Sequence, residues 1–309
     1  MRPVQLRDGQ QTVPTVTVTA PSLSMLHEVR RAAKRIWRIW RSDVLVLSPA
    51  KSGRTWLRVL LSHVWHLAFG VPADRLIRFD NFHRLDRRIP VVTFSHLFNE
   101  PPPVRRAVAR AIRSPRRRLV VLVRDPRDVA VSHYYHLRHR AHVRDLARYG
   151  LTRAQVARPL AEFLRDPGAG LPAQIDRLAA MLRLTERAAR AHLLRYEDLR
   201  RDTAGELGRL LRFLGQDPDP SRLERAVAFA AFDNLRRLEQ AGFFRDEVLR
   251  PADPNDPRSF KVRRGQSGSW RRELPADLVA WMDRLVAERL DPRLGYGGTG
   301  KDGPCGDRS

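Results

Sequence analysis

Apolar and polar positions follow one another along this chain in two rhythms. Short, unbroken apolar runs, bounded by polar residues or proline, predict strands near 44–48, 91–95, 119–123 and 192–196. Between them, apolar residues return every third or fourth position. In 53–68 the face is Leu57, Leu60, Leu61, Val64, Trp65 and Ala68, and similar patterns predict helices over 103–113, 127–139, 173–189 and 199–214. Strands that alternate with helices build a parallel sheet through right-handed crossovers. The predicted fold class is therefore α/β, three layers with helices flanking a parallel central sheet. In open parallel sheets, ligands bind beyond the carboxyl ends of the strands, so the residues just after each run carry the chemical interest.

Outside this alternation the pattern changes. Residues 215–262, rich in Pro and Asp, predict helices and loops that cap the strand ends. Residues 1–22 and 298–309 are polar or glycine-rich and are expected to be disordered. Residues 23–42 form a basic amphipathic helix, with Leu26, Val29, Ala33, Ile36, Trp37 and Trp40 on one face and arginines and Lys34 on the rest. Two placements suit that helix: the tryptophan face packs on the domain, which is the favoured reading, or it rests on an anionic membrane surface. The domain proper is expected to span 43–297.

Composition narrows the function classes. The 309 residues, 42% of them hydrophobic, suffice for one large α/β domain with insertions or for two small ones. The single Cys305 rules out an intrachain disulfide and a cysteine-based metal site. There is no apolar run of membrane-spanning length and no secretory signal pattern, so a soluble protein of a reducing, cytoplasmic compartment is expected. The formal charge is +24. Only four of the 58 basic residues are lysine, at positions 34, 51, 261 and 301; the arginines are spread along nearly every helix. That spread, without a zinc finger, basic zipper or aromatic RNA-binding signature, argues against specific nucleic-acid recognition, while a basic surface still draws in anionic small molecules.

The first candidate site is the turn Ser48-Pro49-Ala50-Lys51-Ser52-Gly53-Arg54-Thr55, between strand and helix and followed by Trp56. Free backbone N–H groups and the positive end of the helix dipole make such a terminus an anion cradle, and glycine lets backbone approach an oxyanion closely. The order differs from Walker A, in which the lysine follows the second glycine. A second candidate is Arg124-Asp125-Pro126-Arg127-Asp128-Val129-Ala130-Val131-Ser132: Asp125 is placed to cap a helix that starts at Pro126, and Arg124 and Ser132 could converge on one phosphate. A third is the glycine- and arginine-bearing segment Phe260 to Arg271, suited to wrap a phosphate with backbone N–H groups.

These three segments, in this order over residues 44–297, resemble the sulfotransferases that use 3′-phosphoadenosine 5′-phosphosulfate (PAPS) and release 3′-phosphoadenosine 5′-phosphate (PAP). The first resembles the family's 5′-phosphosulfate loop, the second its 3′-phosphate segment with Asp125 in place of Asn, and the third its R-K-G-x-x-G loop with Arg264 and Arg271 for lysines and Ser269 for Asp. The resemblance implies a P-loop-NTPase-like sulfotransferase fold, with no metal needed. It implies that Lys51, Ser52, Gly53, Arg54 and Thr55 hold the 5′-phosphate, and that Arg124, Ser132, Arg263, Arg264 and Gly265 hold the 3′-phosphate. Trp56, Tyr196 of the Tyr196-Glu197-Asp198-Leu199 segment, and Phe232 would border the adenine; Phe232 reads more readily as a core aromatic. His96, which follows Ser95 at a strand end, stands where the family has its general base. Lys51 would answer charge on the departing phosphate, and Ser132 would hold Lys51 back until the acceptor arrives.

Two other classes stay open at this point: a P-loop kinase or other NTPase, and a non-catalytic protein binding nucleic acid or an acidic glycan on the same fold. The acceptor, whether small molecule, glycan or lipid, is expected to be shaped by residues about 70–90 and 235–262. There Phe79, Phe82, His83, Phe243 and Phe244 either line an apolar slot or pack.

Overall fold

The structure is a computed structural model. It describes residues 23–141, 146, 149–251, 253, 260–261, 267–268 and 270–297. The segments 1–22 and 298–309, expected to be disordered, and the candidates Arg263, Arg264 and Gly265 lie outside the described residues.

Four strands form one parallel sheet: β1 (Val44–Leu47), β2 (Val92–Ser95), β3 (Arg118–Val123) and β4 (Ala191–Arg195), in the order β2-β1-β3-β4. Every residue of β1 is buried, as expected of a central parallel strand covered on both faces. Successive side chains leave a strand on opposite faces. Val44, Val46, Val120 and Leu122 therefore enter one core half, with Leu57, Leu60 and Trp65. Leu45, Leu47, Leu119, Val121 and Val123 enter the other, with Val104, Val108, Ile175 and Met282. This is the predicted three-layer α/β arrangement.

Helix α1 (Leu23–Arg41) precedes β1, and α2 (Arg54–Phe69) and α3 (Pro102–Ile112) connect β1 to β2 and β2 to β3. Between β3 and β4 run α4 (Pro126–His139), α5 (Arg153–Ala157), α6 (Leu160–Arg165) and α7 (Leu171–Thr185). After β4 come α8 (Tyr196–Arg201), α9 (Thr203–Phe213), α10 (Pro220–Phe229), α11 (Phe232–Gln240), α12 (Trp270–Glu273) and α13 (Ala276–Arg289). The helix expected over 199–214 is two. Asp202 leaves helical geometry at φ −134° and ψ 73°, and its carboxylate accepts from Gly205 N, so it caps a new helix instead of continuing the old one.

The packed face of α1 is not the tryptophan face. Ala32, Ile36 and the fully buried Ile39 meet the core, and Arg35 reaches in to Glu100 at 2.6 Å. Trp37 and Trp40 flank that face and stay 47% and 43% exposed, with Met25, Leu26 and Val29 also exposed. The helix thus packs on the domain, the favoured reading, with its face turned: Ile36, Ile39 and Arg35 hold it down, while Trp37 meets Phe79 from the side with ring centroids 5.5 Å apart.

Candidate active site

The sheet order puts a switch point between β1 and β3, since the chain leaves β1 for β2 on one side and then returns to β3 on the other. The crevice at such a point is where parallel sheets bind ligands. The lysine-bearing turn follows β1 and Arg124 follows β3, so both border that crevice.

The turn after β1 is strained and open. Lys51 has φ 70° and Gly53 φ 89°. A left-handed lysine costs on the order of 1–3 kcal/mol, and such strain gathers at ligand clamps. At Gly53 a side chain has no room: a Cβ there would stand 2.5 Å from Tyr196 Cδ2. Gly53 is also the N-cap of α2 and supplies no side-chain cap, so the first-turn N–H groups face the turn without one. The hydroxyls of Ser48 and Ser52 are buried and have no hydrogen-bond partner among the described residues. Unmet buried donors beside open helix N–H groups fit an oxyanion.

Arg124 is fixed from three sides. It donates to Lys51 O at 3.3 Å, pairs with Asp128 Oδ1 at 3.4 Å, and lies over the Tyr196 ring at 4.4 Å. The guanidinium thereby bridges the strand ends of β1, β3 and β4. Asp125 caps α4 by accepting from Arg127 N at 2.9 Å, as predicted. Its second task explains why a carboxylate stands here: it binds the buried Arg127, which also pairs with Asp283 and donates to Tyr296 O. Asp128 accepts from Gly268 N at 3.0 Å, which joins the downstream segment to α4. Burial, opposed by Arg124, raises its carboxyl to about 6.

His96 closes β2. Its Nδ1 sits 2.9 Å from Ser48 O. A carbonyl only accepts, so Nδ1 carries the proton and Nε2 keeps the lone pair. Burial first, then the cations Arg54, Lys261 and Arg35, press its pKa well below the usual histidine value, which keeps the ring neutral at physiological pH. The next residue, Leu97, has φ 56°, a second strained turn at a strand end.

One cavity of about 470 Å³ joins these parts. Its wall includes Lys51, Gly53, Arg54, Thr55, Trp56, His96, Arg124, Ser132, Tyr196 and Phe232, with Ser52 buried behind the turn. That volume lies within the usual range for small-molecule sites. Aromatic rings mark one end. Trp56 donates to Ala230 O at 2.9 Å and meets Tyr196 edge-on, with ring centroids 5.7 Å apart. Phe232 stands with them on the wall and is not a core aromatic.

The other end departs from expectation. Phe82 and Phe244 are fully buried in the core and Phe79 nearly so. Phe243 packs edge-on against Phe244, and His83 binds Ile89 O. None of the five is on the cavity wall: Phe243 and Phe244 pack on Phe229, Phe79 packs on Trp37, and Phe82 is enclosed in the core. The wall there is Val131, His136, Tyr149, Val248, Leu249, Arg54, Arg58 and Lys261. Sequence reasoning passed over Lys261 as a site residue, although a signal existed: two of only four lysines in an arginine-rich chain border the same cavity. Burial, with Arg140 and Arg54 close by, lowers Lys261 to about 7. Burial also lowers Arg54, to about 10, reinforced by Arg58 and Arg35.

Comparison with known proteins points one way. Residues 41–292 match the sulfotransferase domain family. Flavonol 3-sulfotransferase of Flaveria bidentis is 21% identical over 287 residues, covering 85% of this chain and 86% of the relative. Among solved structures, mouse sulfotransferase SULT7A1 complexed with PAP superposes with a TM-score of 0.53 at 17% identity, over 81% of this chain and 84% of the other. Retinol dehydratase in complex with androsterone and the inactive cofactor PAP gives 0.53 at 18% identity, over 84% and 85%. The likeness to both structures is one of fold.

Proposed function

The chain belongs to the sulfotransferase domain family, and from that we propose that it transfers a sulfuryl group from PAPS to a hydroxyl or amine acceptor. His96 is the general base and Lys51 stabilises the leaving phosphate. The observation that carries this reading is the single cavity bordered at once by Lys51, His96, Arg124, Ser132 and Tyr196. PAP in the solved structures of SULT7A1 and retinol dehydratase supports the choice of donor.

The residues present fit that donor. The Ser52 hydroxyl without a partner among the described residues, the open N-terminus of α2 and the glycine whose added Cβ would clash with Tyr196 suit the 5′-phosphate, with the backbone of Arg54 and Thr55 completing the cradle. Arg124 and Ser132 suit the 3′-phosphate, with Arg263, Arg264 and Gly265 assigned there from the motif. Trp56, Tyr196 and Phe232 offer faces for adenine. PAPS supplies an activated sulfuryl group on a phosphosulfate anhydride, and no metal is called for.

The acceptor oxygen or nitrogen forms its bond to sulfur as the bond from sulfur to the bridging phosphate oxygen breaks. The electron pair stays on that oxygen, where the Lys51 ammonium meets the growing charge. The acceptor proton passes to Nε2 of His96, which is held in the right tautomer by Ser48 O and kept neutral by burial. Ser132, on the wall with Lys51, is proposed to restrain the lysine until an acceptor is seated. The test is mass-spectrometric detection of the sulfated product when a panel of phenols and aliphatic alcohols is offered with PAPS. Product in the wild type and its near-loss in Lys51→Ala are expected; no transfer to any member, with PAP also failing to bind, would overturn the reading.

A second reading concerns α1. Its exposed Met25, Leu26, Val29, Trp37 and Trp40 stand among basic residues, the pattern of a helix that lies on an anionic bilayer. No described helix is long and apolar enough to cross a membrane, so the proposed contact is peripheral. Co-sedimentation with phosphatidylserine-containing vesicles, weaker with pure phosphatidylcholine and lost in the Trp37→Ala/Trp40→Ala double variant, is expected. Equal binding to both vesicle types, or to neither, would overturn it.

A further inference from the structure

The cavity wall carries cations beyond Lys51 and Arg124, to which the donor's phosphates are assigned. Among the described residues its cations are Lys51, Arg54, Arg58, Arg124, Arg200 and Lys261, and its one carboxylate is Asp128. Asp128 answers Arg124, and Asp246 answers Arg58 at 3.5 Å. The other carboxylates near His96 are engaged as well: Glu100 holds Arg35 and Ser95, and the fully buried Glu239 accepts from the backbone N–H of Lys261 at 2.7 Å. Among the described residues, no carboxylate or carbonyl is hydrogen-bonded to Arg54.

Topology says which half of the cavity Arg54 serves. Its backbone is the first turn of α2, beside the phosphate turn. The charges that act on its guanidinium are Arg58, one turn along α2, then Arg35 and Glu100, which pair with each other beside β2, and Tyr149. Of the charges acting on His96, Arg54 is the strongest and Lys261 the next. The donor crevice lies on the opposite side of β1, between β1 and β3. Arg54, His96 and Lys261 border one cavity, so an acceptor within reach of Nε2 of His96 lies among them.

We infer that the acceptor is itself an anion, a hydroxyl compound carrying a carboxylate close to its nucleophilic oxygen, with the acid group bound between Arg54 and Lys261 and the apolar body against Val131, Val248 and Leu249. This deepens the proposed sulfuryl transfer and rests on it. A desolvated guanidinium without a partner is costly, and a planar carboxylate is the group it pairs with best, through two parallel charge-assisted hydrogen bonds. Arg54 remains charged at neutral pH, since its lowered value is still about 10.

The experiment is a binding measurement that needs no turnover. The full chain, saturated with PAP, is titrated calorimetrically with 3-hydroxybenzoate, mandelate and 2-hydroxy-3-phenylpropanoate, each against its primary amide. At least one acid is expected to bind about tenfold or more tighter than its amide, the scale of a charge-assisted pair. In Arg54→Gln, also at saturating PAP, that ratio should fall to within about twofold; should that variant fail to fold, Lys261→Met should still lower the ratio by about threefold. No preference for any acid in the wild type, or a preference that survives both substitutions, overturns the inference. Normal PAP binding and sulfation of neutral 4-methylphenol, without an acid preference, would sink it alone. Absence of PAP binding together with absence of any sulfation would remove the proposed function, and this inference with it.

Discussion

At the scale of single residues, the account turns on two side chains whose surroundings set their state. His96 is pinned through Nδ1 to Ser48 O and kept neutral by burial and by Arg54. Replacing it with alanine should lower kcat by about 10²-fold or more, the usual scale for a positioned base, while the Kd for PAP changes little. Steady-state rates on a responsive acceptor check this, and a near-wild-type kcat would remove His96 from the chemistry. Arg124 binds Asp128, Lys51 O and the face of Tyr196, and so is held ready rather than free to swing. Arg124→Ala should weaken PAP binding by about tenfold or more, the loss expected when a charged hydrogen bond to phosphate is removed; unchanged calorimetric affinity would contradict it. The place of both residues at a strand end was legible in the sequence, while the roles proposed for them came from the resemblance. The surroundings of Arg54 were not legible: position in a motif fixes its backbone, while the charges around its guanidinium include Arg35, Glu100 and Tyr149, contributed by segments far away in the chain, as well as Arg58 on the same helix.

At the scale of elements, the strand–turn–helix of β1 and α2 is the part with least tolerance. Gly53 combines φ 89° with a Tyr196 ring 2.5 Å from any added Cβ. Gly53→Ala should therefore lower stability by about 1–3 kcal/mol and abolish stabilisation by PAP, as read from melting curves with and without the nucleotide. A variant that melts normally and still responds to PAP would show that the turn tolerates another shape. The strands were readable because both faces of a parallel sheet are buried, which leaves unbroken apolar runs such as Val44–Leu47. Helix α13 was equally marked, by Leu278, Met282 and Val286 at four-residue spacing, but was not separated from the residues around it. The break at Asp202 was hidden, because its capping role depends on φ and ψ and not on hydrophobic rhythm. The packed face of α1 was hidden for a different reason. Ile36 and Trp37 are neighbours on the helix, and only the position of α3 and Glu100 decides between them.

At the scale of the whole molecule, a chain of net charge +24 gathers several cations on the wall of one cavity, and burying Lys261 among them has a cost in stability. Lys261 is lowered from 10.5 to about 7 by burial and by Arg140 and Arg54. Between these two values the unfolded chain holds a proton that the folded chain has released, so stability rises with pH across about 7 to 10.5 and the penalty is fully present below 7. Lys261→Met should accordingly raise the melting temperature at pH 7 and flatten its rise between pH 7 and 9; a variant that melts lower at pH 7 and keeps the wild-type slope would refute the burial penalty. The same arrangement of charge bears on the central claim, that two anion sites, at the Lys51 turn and at Arg124, are spanned by one adenosine. Calorimetric titration with PAP, ADP and ATP, without Mg²⁺, tests it most directly. PAP should bind about tenfold or more tighter than ADP, the worth of a phosphate held by a charge-assisted arginine, and that margin should vanish in Arg124→Ala. Equal affinity for PAP and ADP in the wild type, or a preference for ATP that appears only with Mg²⁺, would contradict the account.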